Sequence, residues 1–329
     1  MVTLKDVAKE AGLTVGTVSR VINNRGYISD KTREKVFRVM DELDYRPNEI
    51  ARSLSKQRTN TIGVIVPHIE HPYFSKLIRC IEKVVSKENQ KMILCNSEEE
   101  KEKEIDYIDM FKSNRVDGII LCSGYLDINK FLDLKIPVIA IERELECGTV
   151  SIECDNYEGG VLAAKHLIKC GSKNIVHFSG IKNVKMPADQ RALGFAKTCE
   201  KNKVKYKEIK YEKGMYYTLE YHKYIEEILK QDKEIDGIFA SSDLIAAQVI
   251  RVCSKLDIKI PEDVNLIGFD DVNVASLTTP RITTIRQPVE EMAEQAVYAI
   301  LKSKEKVVPS KVVLPVELIV RESTRPPTE

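Results

Sequence analysis

The sequence has no long hydrophobic run. Nothing in it approaches the roughly 18 apolar residues that a membrane-spanning helix needs, so such a helix is excluded. The start, Met1-Val2-Thr3-Leu4-Lys5-Asp6, lacks the apolar stretch of a secretory signal, which points to a reducing, cytoplasmic setting. Eight cysteines are present, at Cys80, Cys95, Cys122, Cys147, Cys154, Cys170, Cys199 and Cys253, but none forms a C-x-x-C pair or a Cys/His cluster at zinc spacing. They read as small buried apolar residues, with no metal site. G-x-G-x-x-G, the phosphate-binding loop and any nucleophile–base motif are missing as well. An enzyme is therefore the least favoured class, and no cofactor is expected.

Net charge is scarce too, at +1 over 329 residues, but it is unevenly spread. Residues 1–58 carry twelve Lys/Arg against eight Asp/Glu, an excess of +4 that leaves −3 for the remainder. A basic head on a slightly acidic body suits a module that meets a polyanion. With 43% apolar residues the chain has enough to bury two or three domain cores.

What is present begins with a local helical pattern. Leu4, Val7, Ala8 and Ala11 fall on one face, Thr3 with Asp6 resembles a capping box, and Gly12 ends the helix. Thr14 caps a second helix running to about Asn23. Ser29 caps a third, on which Val36, Met40 and Leu43 share a face, and Pro47 ends it. The spacing Ala8-x3-Gly12-x5-Val18 suits a helix-turn-helix: a small residue where helices cross, a glycine at the tight turn, a valine in the joint. On a helical wheel Val18, Val21 and Ile22 face inward, Gly16 and Arg20 outward, and Thr17 and Ser19 lie on the flanks. Val15 sits at the border. Arg20 would meet guanine edges, with hydroxyls and small apolar groups beside it. Asn48 to Leu54 predicts about two helical turns, too short to be stable alone, with Ile50 and Leu54 on one face. Such a piece could wedge Leu54 between base steps, or could pack Leu54 on the larger domain. The boundaries expected are 1–46 for the headpiece, 47–59 for the hinge and linker, and 60–329 for the body.

From Thr61 the texture changes to short β-rich runs separated by helical segments: Ile62–Val66, Met92–Cys95, Gly118–Cys122, Pro137–Ile141, Ile175–Phe178, Gly237–Ala240 and Val264–Phe269. This alternation predicts an α/β body of doubly wound parallel sheets. Val116-Asp117-Gly118-Ile119 recurs as Ile235-Asp236-Gly237-Ile238, so two similar lobes are expected, with a cleft at the carboxyl ends of their strands. Just beyond strand ends lie His71, Tyr73 and Phe74, then Glu142 and Arg143, and in the second half Arg191, Tyr216, Ser242 and Asp270. Aromatic faces stack on the C–H side of a sugar, while carboxylates and guanidinium bind paired hydroxyls. Each has a plainer reading: Tyr73 and Phe74 as core, Glu142-Arg143 as a surface pair, Tyr216 as one of several packing tyrosines, Asp270 as a cap.

Several blocks together resemble the lac repressor family: Thr3-Leu4-Lys5-Asp6-Val7-Ala8, Thr17-Val18-Ser19-Arg20-Val21-Ile22-Asn23 and Tyr45-Arg46-Pro47-Asn48-Glu49-Ile50-Ala51-Arg52-Ser53-Leu54 in the head, and Gly268-Phe269-Asp270-Asp271 and Thr284-Ile285-Arg286-Gln287-Pro288 in the body. The pattern is nearest to repressors of ribose and of sucrose use. The resemblance implies a transcriptional regulator that binds operator DNA as a two-fold homodimer and responds to a small effector, a sugar or sugar phosphate. It puts Val15, Gly16 and Arg20 at base edges. Thr3, Thr14, Thr17, Asn23, Tyr27, Thr32, Tyr45 and Asn48 would hold phosphates, and Ala51 and Leu54 would act in the hinge. Tyr73, Phe74, Glu142, Arg143, Arg191, Tyr216, Ser242 and Asp270 match effector contacts, and His71 stands beside them. Glu142 replaces a commoner Asp and His71 a commoner Asn, which leaves the sugar open. Lys185 would meet a phosphate if the effector carries one.

Other readings stay open from sequence. A catabolite regulator would use a phosphorylated carrier protein as corepressor. A purine sensor would use Tyr73-Phe74, although Glu142-Arg143 suits hydroxyls better. A periplasmic sugar-binding protein is disfavoured by the added head. No leucine heptads follow at the end of the sequence, so a dimer through the large domain is expected.

Overall fold

The computed structural model describes residues 2–46, 59–98, 100–122, 136–143, 150–182, 186–302 and 309–327. The chain divides into two units, Met1–Thr59 and Asn60–Glu329. The expected hinge, with Asn48, Ala51 and Leu54, lies outside the described residues, as does Lys185.

Among its described residues the first unit holds three helices: α1 (Leu4–Glu10), α2 (Val15–Ile22) and α3 (Asp30–Glu42). Their starts follow from local chemistry. Asp6 accepts from the Thr3 amide at 2.8 Å and the Thr3 hydroxyl at 2.7 Å, closing the capping box. Thr14 caps α2 by accepting from the Thr17 amide, and Ser29 caps α3 by accepting from the Thr32 amide. The turn after α1 needs Gly12, whose φ is +59°. Val7, Ala8, Ala11, Val18, Val21, Val36, Val39 and Met40 form the core.

The second unit holds two six-stranded sheets. The first runs in the order β11 (Lys311–Leu314), β5 (Val150–Cys154), β4 (Val138–Ile141), β3 (Gly118–Leu121), β1 (Thr61–Val66), β2 (Lys91–Asn96), all parallel. The second repeats that pattern: β12 (Glu317–Ile319), β10 (Thr283–Arg286), β9 (Asn265–Asp270), β8 (Gly237–Ala240), β6 (Asn174–Ile181), β7 (Lys205–Tyr211). Only β12 runs antiparallel to its neighbour. Apolar side chains cover both faces of each sheet, as parallel strands demand. Helices Pro72–Lys87 and Val289–Lys302 pack one face of the first sheet, and Lys101–Ser113 the other.

The chain passes between the lobes three times. It crosses from β5 to helix Asn156–Lys169 on the second sheet, from β10 to helix Val289–Lys302 on the first, and from β11 to β12. One close approach fixes the first crossing. A Cβ on Gly160 would come within 2.0 Å of the Arg191 carbonyl oxygen, and one on Gly194 within 2.1 Å of that of Tyr157. Helices Asn156–Lys169 and Asp189–Lys201 thus touch backbone to backbone, which brings their first residues together.

Candidate functional site

Two surfaces present functional chemistry. In the first unit α2 turns Val18 and Val21 fully inward, while Gly16 and Arg20 face solvent. Val15, which the wheel left at the border, is 41% exposed and joins the outward face. Thr17 and Ser19 are half-buried on the flanks. Thr3 and Thr14 are exposed at helix starts, where unpaired amides favour anions, and Tyr27 is 99% exposed in the loop before α3. Asn23, Thr32 and Tyr45 are half-buried; Asn23 donates to the Ser19 carbonyl at 2.9 Å, and the Thr32 and Ser29 hydroxyls lie 2.9 Å apart. An arginine flanked by small side chains on an otherwise open helix face can enter a DNA groove and donate to base edges.

In the second unit a cavity opens at the carboxyl ends of the strands, between the lobes. It encloses about 730 Å³ counting its mouth. His71, Tyr73, Phe74 and Glu142 line it from the first lobe, and Arg191, Tyr216 and Asp270 from the second. Two of the expected residues are not in the lining. Ser242 instead caps helix Asp243–Lys255 by accepting from the Ile245 amide at 3.2 Å, and its neighbour Ser241 faces the cavity. Arg143 is half-buried beside β4, and its carbonyl accepts from the Ser151 hydroxyl. Among further lining residues are His177, Ser179, Met186, Tyr211 and Gln287. A histidine inside the apolar run of β6 was the one sequence signal that could have pointed to them.

The polar groups form a repeated arrangement. Glu142 follows β4, and Asp270 ends β9, the equivalent strand of the other sheet. Both have left-handed backbone, with φ of +54° and +106°, a conformation that costs a non-glycine residue energy and clusters at functional sites. Each accepts a side-chain amide from a lobe crossing: Glu142 from Asn156 at 2.9 Å, Asp270 from Gln287 at 2.7 Å. Arg191 completes the set. Its Nε donates to Asn156 Oδ1 at 2.7 Å, its Nη1 to the Ser241 carbonyl at 2.8 Å, and its guanidinium lies 3.5 Å over the Phe269 ring.

Burial sets the protonation of the lining. His177 hydrogen-bonds the Phe239 carbonyl through Nδ1 at 3.0 Å. A carbonyl only accepts, so Nδ1 carries the proton and Nε2 offers a lone pair. Burial holds this imidazole neutral, with its pKa down at about 3. His71 has the opposite tautomer: its Nδ1 accepts from the Tyr73 amide at 3.2 Å, so Nε2 carries the proton, and burial lowers its pKa to about 4. Burial raises the Asp270 carboxyl to about 7, opposed by Arg191 and by the Gln287 hydrogen bond. Beneath it Asp243, fully buried and pushed upward by burial and by Asp270, accepts from the Thr284 hydroxyl and the Val272 amide. Tyr73 Oη, His177 Nε2 and Gln287 Oε1 are buried and have no hydrogen-bond partner among the described residues. Buried polar atoms are rarely left so, and all three belong to residues that line the cavity. Among the described residues no cluster of His, Cys, Asp and Glu could hold a metal ion, and no helix is long and apolar enough to cross a membrane.

Comparison with known proteins agrees with both surfaces. Residues 3–48 match the family of bacterial regulatory proteins, lacI family, and residues 164–324 match the periplasmic binding protein-like domain. The ribose operon repressor of Halalkalibacterium halodurans is 34% identical over 99% of this chain and 98% of its own length. The sucrose operon repressor of Streptococcus mutans is 38% identical over 97% and 98%. A periplasmic binding protein/LacI transcriptional regulator from Alkaliphilus metalliredigens, solved in complex with D-xylulofuranose, superposes with a TM-score of 0.74 at 31% identity, over 81% of this chain and 100% of that one.

Proposed function

The chain belongs to the lacI family of bacterial regulatory proteins and is a DNA-binding transcriptional regulator, not an enzyme; from that premise we propose that it represses a carbohydrate-utilisation operon under the control of a small sugar held in the interlobe cavity. One observation carries the sugar reading. The cavity presents acceptors and donors together, with aromatic faces between them: Glu142, Asp270, His177 Nε2 and Gln287 Oε1 to accept, Arg191 and His71 Nε2 to donate. A polyol, whose every hydroxyl both donates and accepts, matches that mixture, whereas a purine offers few such groups. The one guanidinium in the described lining is already engaged by Asn156 and Ser241 and stands among two carboxylates, which favours an unphosphorylated effector over a sugar phosphate.

Coupling would run through the lobe crossings. Glu142 and Asp270 each hold an amide on a crossing segment, so a sugar that bonds these acids from both lobes favours the closed arrangement. In a homodimer on operator DNA, closure would set the spacing of the two segments 47–59. Base edges would be met by Val15, Gly16 and Arg20, and Leu54 would act as the wedge. Relatives named for ribose and sucrose operons support a sugar-linked gene set. A thermal-shift screen against free and phosphorylated sugars tests the reading. Stabilisation by a free sugar and none by hypoxanthine is the expected result; the reverse sinks it.

A further inference from the structure

His177 is a polar ring in an apolar place. It stands in the middle of β6 between Val176 and Phe178, all three buried. Its ring stacks on Phe239 of the paired strand β8, centroids 4.3 Å apart at 13°, and lies 5.3 Å from the ring of Phe195. Phe239 in turn packs beside Phe269, the platform under the Arg191 guanidinium. An aromatic wall thus runs from Arg191 to His177. The Nδ1 bond to the Phe239 carbonyl fixes the imidazole within its own plane, and the two phenyl rings fix its tilt.

A phenylalanine at this position would suit the wall at no polar cost. The imidazole instead brings Nε2, a buried atom with no partner among the described residues, into the lining of the cavity. The other acceptors there differ in kind. Glu142 already accepts from the Cys154 amide at 2.7 Å and from Asn156 at 2.9 Å. Asp270, titrating near 7, accepts as a carboxylate and donates as an acid. Gln287 Oε1 only accepts, but it has two lone pairs. His177 Nε2 has one, directed in the ring plane, and burial keeps the ring neutral. It therefore demands a donor, and from one direction.

Resting on the sugar reading of this cavity, we propose that His177 is a specificity-determining residue: its Nε2 accepts one hydroxyl of the bound sugar along a fixed line, so that the site rejects the deoxy and O-methyl forms at that one carbon.

Titration calorimetry on the full-length chain tests this with D-ribose, D-fructose, D-glucose and D-galactose, each beside its monodeoxy and mono-O-methyl forms. For a sugar that binds, removing the hydroxyl that His177 reads should weaken binding about tenfold, and methylating it should weaken binding at least as much. His177→Phe, which keeps a ring in the stack, should weaken the parent sugar about tenfold and change the affinity of that deoxy form by no more than about twofold. Discrimination then disappears at that carbon and persists at the others. His177→Gln, whose amide oxygen can still accept, should restore part of it. If His177→Phe does not fold, His177→Leu carries the same test. A merely structural histidine predicts that the parent sugar and all its deoxy forms lose affinity alike. That result, or discrimination at every carbon that survives the loss of the imidazole, overturns the role of His177 and leaves the sugar reading standing. No heat with any sugar of the panel overturns both.

Discussion

The headpiece and the cleft reach function by opposite uses of burial. In the headpiece an apolar core of eight buried residues holds α2 in place, and the side chains proposed to read DNA, Val15, Gly16 and Arg20, stand outside it. In the cleft the chemistry is itself buried: Arg191, Asp270 and His177 are 6%, 3% and 1% exposed, and their hydrogen bonds are also the tertiary structure. The lesson is one of separability. A headpiece residue should change DNA reading with little structural consequence, whereas a cleft residue should alter ligand affinity, stability and lobe coupling together.

The largest effect expected from a single change is therefore in the cleft. Arg191→Ala removes two hydrogen bonds and the cation over Phe269, and it leaves Asn156 and Asp270 without their cation. Effector affinity should fall by about 2–5 kcal/mol, the usual cost of truncating a buried hydrogen-bonded charge. Calorimetry checks this, and unaltered affinity would break the comparison. Arg20→Ala comes next, with a loss of about 1–3 kcal/mol on the cognate operator and much less on random DNA. Sugar affinity should not move. Equal losses on both DNAs, measured by anisotropy, would make Arg20 a phosphate contact.

A smaller effect is linked to protons. Asp270 titrates near 7 in the folded chain, well above an exposed aspartate. Between about pH 4 and 7 the native state thus holds a proton that the unfolded state has lost, so stability falls as pH rises through that window, by at most about 1.4 kcal/mol per unit. Asp270→Asn should flatten this slope in thermal melts of the ligand-free protein; an unchanged slope would place the proton elsewhere. The smallest effect belongs to Ser29→Ala. It removes the cap of α3 and should cost about 1 kcal/mol of headpiece stability, with sugar affinity unaltered.

The same contrast governed what could be read from the sequence. The headpiece was legible because its determinants are local: Thr3 with Asp6, Thr14 with Thr17, and Val18 with Val21 all lie within one helical turn. Only Val15 needed the structure. Strands β1 to β4, β6, β8 and β9 were legible as apolar runs, whereas β5, interrupted by Ser151 and Glu153, was not. The edge strand β7, Lys205–Tyr211, was not legible either, because its exposed face reads as charged loop, and in β10 to β12 polar residues such as Thr283, Thr284, Lys311 and Glu317 break up the apolar run. In the cleft the residues just past strand ends were found, since topology forces that position on any ligand. Asn156, His177 and Gln287 were missed, because their partners Arg191, Phe239 and Asp270 lie between 17 and 62 residues away. Ser242 was one residue off for the reason that a cap and a lining position alternate where a strand turns into a helix.

The account rests on coupling between the two regions, and coupling of binding is reciprocal. The most direct test is operator affinity by anisotropy with and without the saturating sugar found by screening, on an operator selected in vitro, paired with sugar affinity with and without that operator. The two ratios should agree, each at about fivefold or more, and Arg191→Ala should abolish the response while still binding operator. Operator affinity that stays the same at saturating sugar would contradict the claim that the cleft controls the headpiece.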